Sequence, residues 1–268
     1  MKKAKGNSEP SSLFHYTKLS SLEYILPSSK EDIIDGVPYM DFRFSSPYQC
    51  NDPMEVHFFT DALYTSSDVS NKLKSDVEKE KERIGSPFIF CLIHHKRAEM
   101  QKCPLTEIPM WNMYGDKNQG IRLRLDYKQL KKHCKEQQIE LFPCIYLNKD
   151  KMQKETQAIR EKMKSITEES QRVEEYQDIY HKYVRYKTLN WSYEYEHRMA
   201  VWTKNFETIG EKLYYHIKIP LQCLKAIQIG SSADYEMGSK FIDDKKVIIQ
   251  QLGFSTDFKV EKSKLLIR

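Results

Sequence analysis

No apolar run in this 268-residue sequence approaches the roughly 18 consecutive residues of a membrane helix, so a helical span is not expected. The opening stretch, MKKAKGNSEPSS, is polar and holds no apolar signal core, which argues against export. The six cysteines, at positions 50, 91, 103, 134, 144 and 223, are scattered and include no CxxC pair. That excludes a compact disulfide framework and fits a reduced, cytoplasmic chain. The common nucleotide cradles, GxGxxG and GxxxxGKS/T, are absent, as is the GxSxG elbow of hydrolases. Neither an internal repeat nor a low-complexity linker interrupts the chain.

What is present is ordinary globular material. Hydrophobic residues make up 40% and charged residues 30%, which excludes global disorder. Lys and Arg total 43 against 38 Asp and Glu, a surplus of +5 that is too weak to imply nucleic acid or a membrane surface. The length suits one large domain or two small ones, and a single domain is expected over 13–268 after a 12-residue tail.

Hydrophobic periodicity predicts strands at Leu13–Tyr16, Tyr39–Ser45, Pro87–Ile93, Gly120–Leu125, Ile139–Leu147, Tyr193–Trp202, Leu213–Ile219, Leu224–Ile229 and Phe258–Glu261. Helices are predicted at Leu19–Leu26, at 68–84 and at 233–252. Over 149–187, Met152, Ile159, Met163, Ile166, Val173, Tyr176, Ile179, Tyr180 and Tyr183 trace one stripe, as one long helix or two joined near Thr167–Glu169. Strands at both ends with helices inserted between them favour α+β over a doubly wound fold. The expected architecture is a twisted, split, antiparallel-rich sheet with a helical insertion near 150–187.

Four segments carry candidate chemistry, and each has a plain structural alternative. In FHYT, His15 and Thr17 share one face of a strand, suited to a ligand hydroxyl or to ordinary backbone bonding. In SSPYQCNDPMEV, Asn51, Asp52 and Glu55 face a ligand or simply build a turn, since Asn-Asp-Pro is good turn chemistry. In PMWNMYGDKNQGIRLRL, Trp111 and Tyr114 lie three apart on a helical face, where they stack on a planar ring or pack in the core. In WSYEYEHRM, read as a strand, Glu194, Glu196 and Arg198 share a face; they form a site whose like charges perturb each other, or a solvated rim. A metal centre from Cys91, His94, His95 and Cys103 lacks the spacing of a zinc site, so no metal is expected.

Taken in order, FHYT, FRFSSPYQCNDPMEV, FCLI, MWNMYGDKNQGIRLRL, WSYEYEHRM and a closing IG…KS…R resemble an uncharacterised, mostly bacterial family, domain of unknown function 2971. That family is in turn distantly similar to NAD-dependent ADP-ribosyltransferases of toxin and abortive-infection systems. The second resemblance implies a cleft with NAD as substrate. His15 would match the histidine that holds the ribose and Thr17 the hydroxyl after it. Glu196 would match the late-strand catalytic glutamate and Glu194 the first residue of an ExE pair. Trp111 or Tyr114 would stack on nicotinamide. Asn51, Asp52 and Arg198 are read beside these as further ligand-binding residues, the NDP loop being without a counterpart in the transferases. His15 departs from the arginine that usually accompanies an ExE pair on the first strand.

The expectation is therefore an NAD-consuming protein, a phage-defence or toxin effector with a nucleotide ligand and a protein or nucleic-acid acceptor. Two alternatives stand beside it: a metal-dependent nuclease or phosphodiesterase built on Asp52, Glu55, Glu194 and Glu196, and a non-catalytic ligand-binding or sensor module.

Overall fold

The structure, a computed structural model, describes residues 9–50, 79, 85–95 and 107–264. It is mixed α and β, with a large, mostly antiparallel sheet. The chain divides into two compact units, the first of residues 1–42, 92–137 and 218–268, the second of 43–91 and 138–217. Residues 1–8 lie outside the described set, while Ser12 already opens a strand and Glu9 pairs with Lys131.

In the first unit, β1 (Ser12–Thr17) pairs antiparallel with β5 (Ile121–Asp126), which pairs antiparallel with β12 (Leu224–Ile229). The last strand, β13 (Lys259–Lys262), lies parallel to β12, and the 17-residue helix α6 (Tyr235–Gln251) makes the crossover that a parallel pair requires. Period-two alternation in β1 and β5 sets the two faces of this ladder. His15, Leu123 and Ile227 are abreast in one row, and Tyr16, Arg122 and Gln228 in the next. Leu13, Leu123, Leu125 and Ile227 are fully buried, each contributing ~1.5–3 kcal/mol of hydrophobic stabilisation. Helix α3 (Tyr127–Glu136) begins where the Asp126 carboxylate accepts from the Gln129 N–H at 2.9 Å, and buries Leu130, His133 and Cys134 at helical spacing. Two glycines fix the entry to β5. A Cβ on Gly120 would stand 2.3 Å from the Thr17 carbonyl, and one on Gly230 would stand 2.2 Å from the Asn118 carbonyl. Asn118 itself is left-handed, with φ 67°, and its side-chain amide donates to Ser231 at 2.7 Å and Ser232 at 3.1 Å.

In the second unit, β9 (Glu196–Thr203) runs between β4 (Ser86–Ile93) and β6 (Glu140–Pro143). Helices α4 (Lys149–Ser165) and α5 (Glu169–Tyr183) break where the sequence places a joint. Of the predicted stripe, Met152, Ile179 and Tyr183 are buried with Ile89, Phe142, Leu147, Val184 and Ala200, and Ile159 and Ile166 pack against them. Asn148 caps α4 through the Lys151 N–H at 2.9 Å.

Three local expectations are corrected. The strand predicted over Ile139–Leu147 is two, β6 and β7 (Ile145–Leu147). It breaks because Cys144 N–H donates to the Glu196 carbonyl, 2.8 Å, while Ile145 N–H donates to the Arg185 carbonyl, 2.7 Å, turning the chain from one neighbour to another. The helical region ends at Tyr183, and Tyr186–Thr188 forms β8, parallel to β7. The strand predicted over Tyr193–Trp202 starts only at Glu196. Leu189–Glu194 is a 3-10 turn, and Tyr195 ends it in the left-handed region at φ 47°. The 68–84 helix lies outside the described residues apart from Lys79, which is helical.

Candidate functional site

Among the described residues, each unit buries a charged centre with several partners, and the first also buries Lys245 against Glu23. In the first unit the centre is built on Arg122. Its position in β5 puts it beside Tyr16 of β1 and Gln228 of β12, and helix α2 (Glu107–Met113) covers that row. The guanidinium donates to Tyr16 Oη at 2.9 Å and to the Gln228 side-chain oxygen, and it pairs with Glu107 at 3.1 Å. Its plane stands over the rings of Phe14, Tyr16 and Trp111, 4.7–5.8 Å from their centroids. Tyr16 Oη also bonds His95 Nε2 at 2.7 Å. Burial pushes the His95 pKa down to about 3, with Arg122 and His94 adding to the effect, so the imidazole is neutral. Burial likewise pushes the Tyr16 phenol well above its ordinary value. Burial alone would lower Arg122, but Tyr16 and Glu107 more than offset it.

In the second unit the centre is a quartet of two cations and two anions. Lys187, on β8, donates to Glu194 and to Glu196 Oε2. Arg198, on β9, donates from Nε to Glu196 Oε1 at 2.6 Å and from Nη1 to the Val184 carbonyl at 2.6 Å. Glu194 is 2% exposed, Glu196 3% and Arg198 1%. The Glu196 N–H donates to Tyr146 Oη, 2.7 Å, and Lys187 stands 5.2 Å over the Trp191 ring. Burial would depress the Lys187 pKa, yet Glu196 and Glu194 hold it well above the ordinary value, as a neutral, mutually compensated cluster requires.

The predicted site residues fall into both units. His15, Thr17, Trp111 and Tyr114 belong to the first. His15 is half-buried, its ring edge-to-face with Phe42 at 6.3 Å, and the Thr17 hydroxyl donates to Ser21 at 2.9 Å. Trp111 is fully buried, T-shaped on Tyr16 at 5.0 Å, and its buried indole N–H has no hydrogen-bond partner. Tyr114 is half-buried just beyond α2. Glu194, Glu196 and Arg198 belong to the second unit and are brought together, though Glu194 arrives from the 3-10 turn rather than from a common strand. They form no solvated rim. Asn51, Asp52, Glu55 and Cys103 lie outside the described residues.

Lys187, the hub of the quartet, carried no signal in the sequence, because nothing in YKT distinguishes a buried lysine from a surface one. Arg122 was legible only as the outward half of the alternating GIRLRL; that α2 would cover it was not. Among the described residues, no group of three or more His, Cys, Asp or Glu is placed to hold a metal ion. Among them, too, no helix is long and apolar enough to cross a membrane.

These features define a mixed α and β protein with a buried acid–base quartet in one unit and a caged arginine in the other. Residues 110–199, which run from α2 to Met199 of β9, match the model of the family described as Protein of unknown function (DUF2971). The resemblance read from the order of the motifs is thereby borne out over that segment. No curated protein and no solved structure matches the chain.

Proposed function

We propose that the chain is an NAD-consuming, ADP-ribosyltransferase-like protein in which Glu196 supplies the carboxylate that meets positive charge developing at the ribose carbon. The observation that supports this is the convergence of Glu194 and Glu196 on one lysine in a water-poor centre. Cleavage of a nicotinamide–ribose bond passes through an oxocarbenium-like state, and a fixed carboxylate stabilises such a state far better where water is excluded. The quartet is neutral as it stands, so Glu196 exerts little net field until one cation is drawn away. In this reading the anionic pyrophosphate of NAD takes over Lys187, and Glu194 then polarises the acceptor or a water. The biological setting that goes with it is a defence or toxin effector.

The test incubates the full chain and Glu196→Gln with NAD, measures nicotinamide release, and follows melting with and without NAD. The wild type should release nicotinamide at least about 100-fold faster than the variant. Equal release by the two, or no release together with no NAD-dependent shift in melting, removes the reading.

A second reading, a non-catalytic ligand-binding or sensor module, is favoured by the occupation of both Glu196 oxygens, one by Arg198 and one by Lys187. The quartet is then a fixed frame, and NAD is not cleaved. The same charge matching leaves the nuclease alternative with less support, since two side-chain cations already stand where a Mg²⁺ ion would be needed.

A further inference from the structure

Beside the quartet the second unit brings two reduced thiols together. Cys50 directly follows the turn Pro47–Gln49 at the end of β3 (Val37–Ser45), and Cys91 lies on β4. The strands pair antiparallel with Ser45 opposite Ile89, and Cys91, two residues on from Ile89, points to the same face. Both cysteines pack against the core cluster that contains Ile89, and both are half-buried rather than sealed. Their thiols are hydrogen-bonded to each other. We propose that Cys50 and Cys91 form an oxidative modification site, in which a small hydroperoxide converts the thiol pair into a disulfide.

The chemistry divides between the two sulfurs. Cys50 is the attacking thiolate: the hydrogen bond from Cys91 holds its thiol below the ordinary range, with Arg198 and Lys187 adding to the effect against burial and Glu196. It attacks the terminal oxygen of the hydroperoxide, the O–O bond breaks, the departing alkoxide (hydroxide from hydrogen peroxide) takes up the proton that Cys50 gave up, and Cys50 becomes a sulfenic acid. The Cys91 sulfur then attacks the Cys50 sulfur, the S–O bond breaks, and water leaves with the Cys91 proton. Two thiols and one hydroperoxide give one disulfide, one water and the reduced hydroperoxide, with two electrons passing to the O–O bond.

The other described thiols are arranged not to react. Cys134 and Cys223, in the first unit, are 2% and 1% exposed, and burial pushes each thiol up to about 12. Burial and Glu196 push Cys144 well above its ordinary value. The proposal is independent of NAD, which is absent from its test.

The experiment treats the full wild-type chain with graded hydrogen peroxide, alkylates the remaining thiols and maps the peptides by mass spectrometry. A Cys50–Cys91 disulfide should form at least ~10-fold faster than Cys134 or Cys223 is lost. In Cys91→Ser the Cys50 sulfenic acid should persist and be trapped by dimedone, and in Cys50→Ser the Cys91 thiol should stay reduced. Oxidation of Cys50 no faster than Cys134 and Cys223, or its pairing with a cysteine other than Cys91, overturns the proposal. The wild-type map decides the question even if a variant fails to fold.

Discussion

Arg122 in the first unit and Arg198 in the second are both nearly withdrawn from water, at 7% and 1% exposed, yet they are compensated differently. Arg122 has one carboxylate, Glu107, and otherwise neutral acceptors and aromatic faces. Arg198 belongs to a cluster in which two cations meet two anions and Lys187 is shared. A neutral acceptor tolerates the loss of a neighbouring charge, because it leaves nothing ionised behind. A shared ion does not, because its removal leaves a buried charge without a partner. The row thus suits a rigid scaffold, whereas the quartet is the part of the chain where moving one charge has consequences.

The comparison is broken most directly at Lys187. Lys187→Met should cost about 3–5 kcal/mol in urea unfolding, since two buried carboxylates are then left with Arg198 as the one cation of the quartet. Adding Glu194→Gln to it should recover at least half of that, and failure of the double variant to recover would show that the ions are not coupled.

Acid sharpens the contrast. Unfolded His95 takes up a proton below about pH 6.5, whereas the folded chain resists until about 3, so stability falls as pH drops through that window. The loss should reach about 2 kcal/mol by pH 5, and His95→Gln should flatten the profile by that amount relative to wild type. Lys187 acts in the opposite sense: its raised pKa contributes stability that is full below about pH 10.4 and is lost as the pH climbs beyond it.

The smallest effect belongs to Glu107→Gln. It keeps an acceptor beside Arg122 and should cost about 1–2 kcal/mol. A cost equal to that of Lys187→Met would erase the distinction between the two centres.

Much of the fold was legible because it rests on local periodicity. GIRLRL gave β5, PFIFCLI gave β4, and the Met152–Tyr183 stripe gave two helices with the joint in the right place. The errors fell where long-range bonds redirect the chain. Cys144 and Ile145 donate to different partners and split one strand into two. The turn over Leu189–Glu194 replaced strand because Glu194 swings in to meet Lys187, a residue seven positions earlier. Helix α3 went unread, as its few apolar residues, Leu130 and Cys134 among them, sit among lysines.

The same division holds for the site. The sequence by itself determined which ionisable residues were unusual, Glu194, Glu196 and Arg198 in an aromatic segment, because clustered charge among tyrosines is visible without coordinates. Only the tertiary structure decided that these charges are buried, which cation they share, and that Cys50 and Cys91 touch. Burial and pairing depend on which strands become neighbours, and that is set by the summed packing of the whole unit rather than by any short stretch of it.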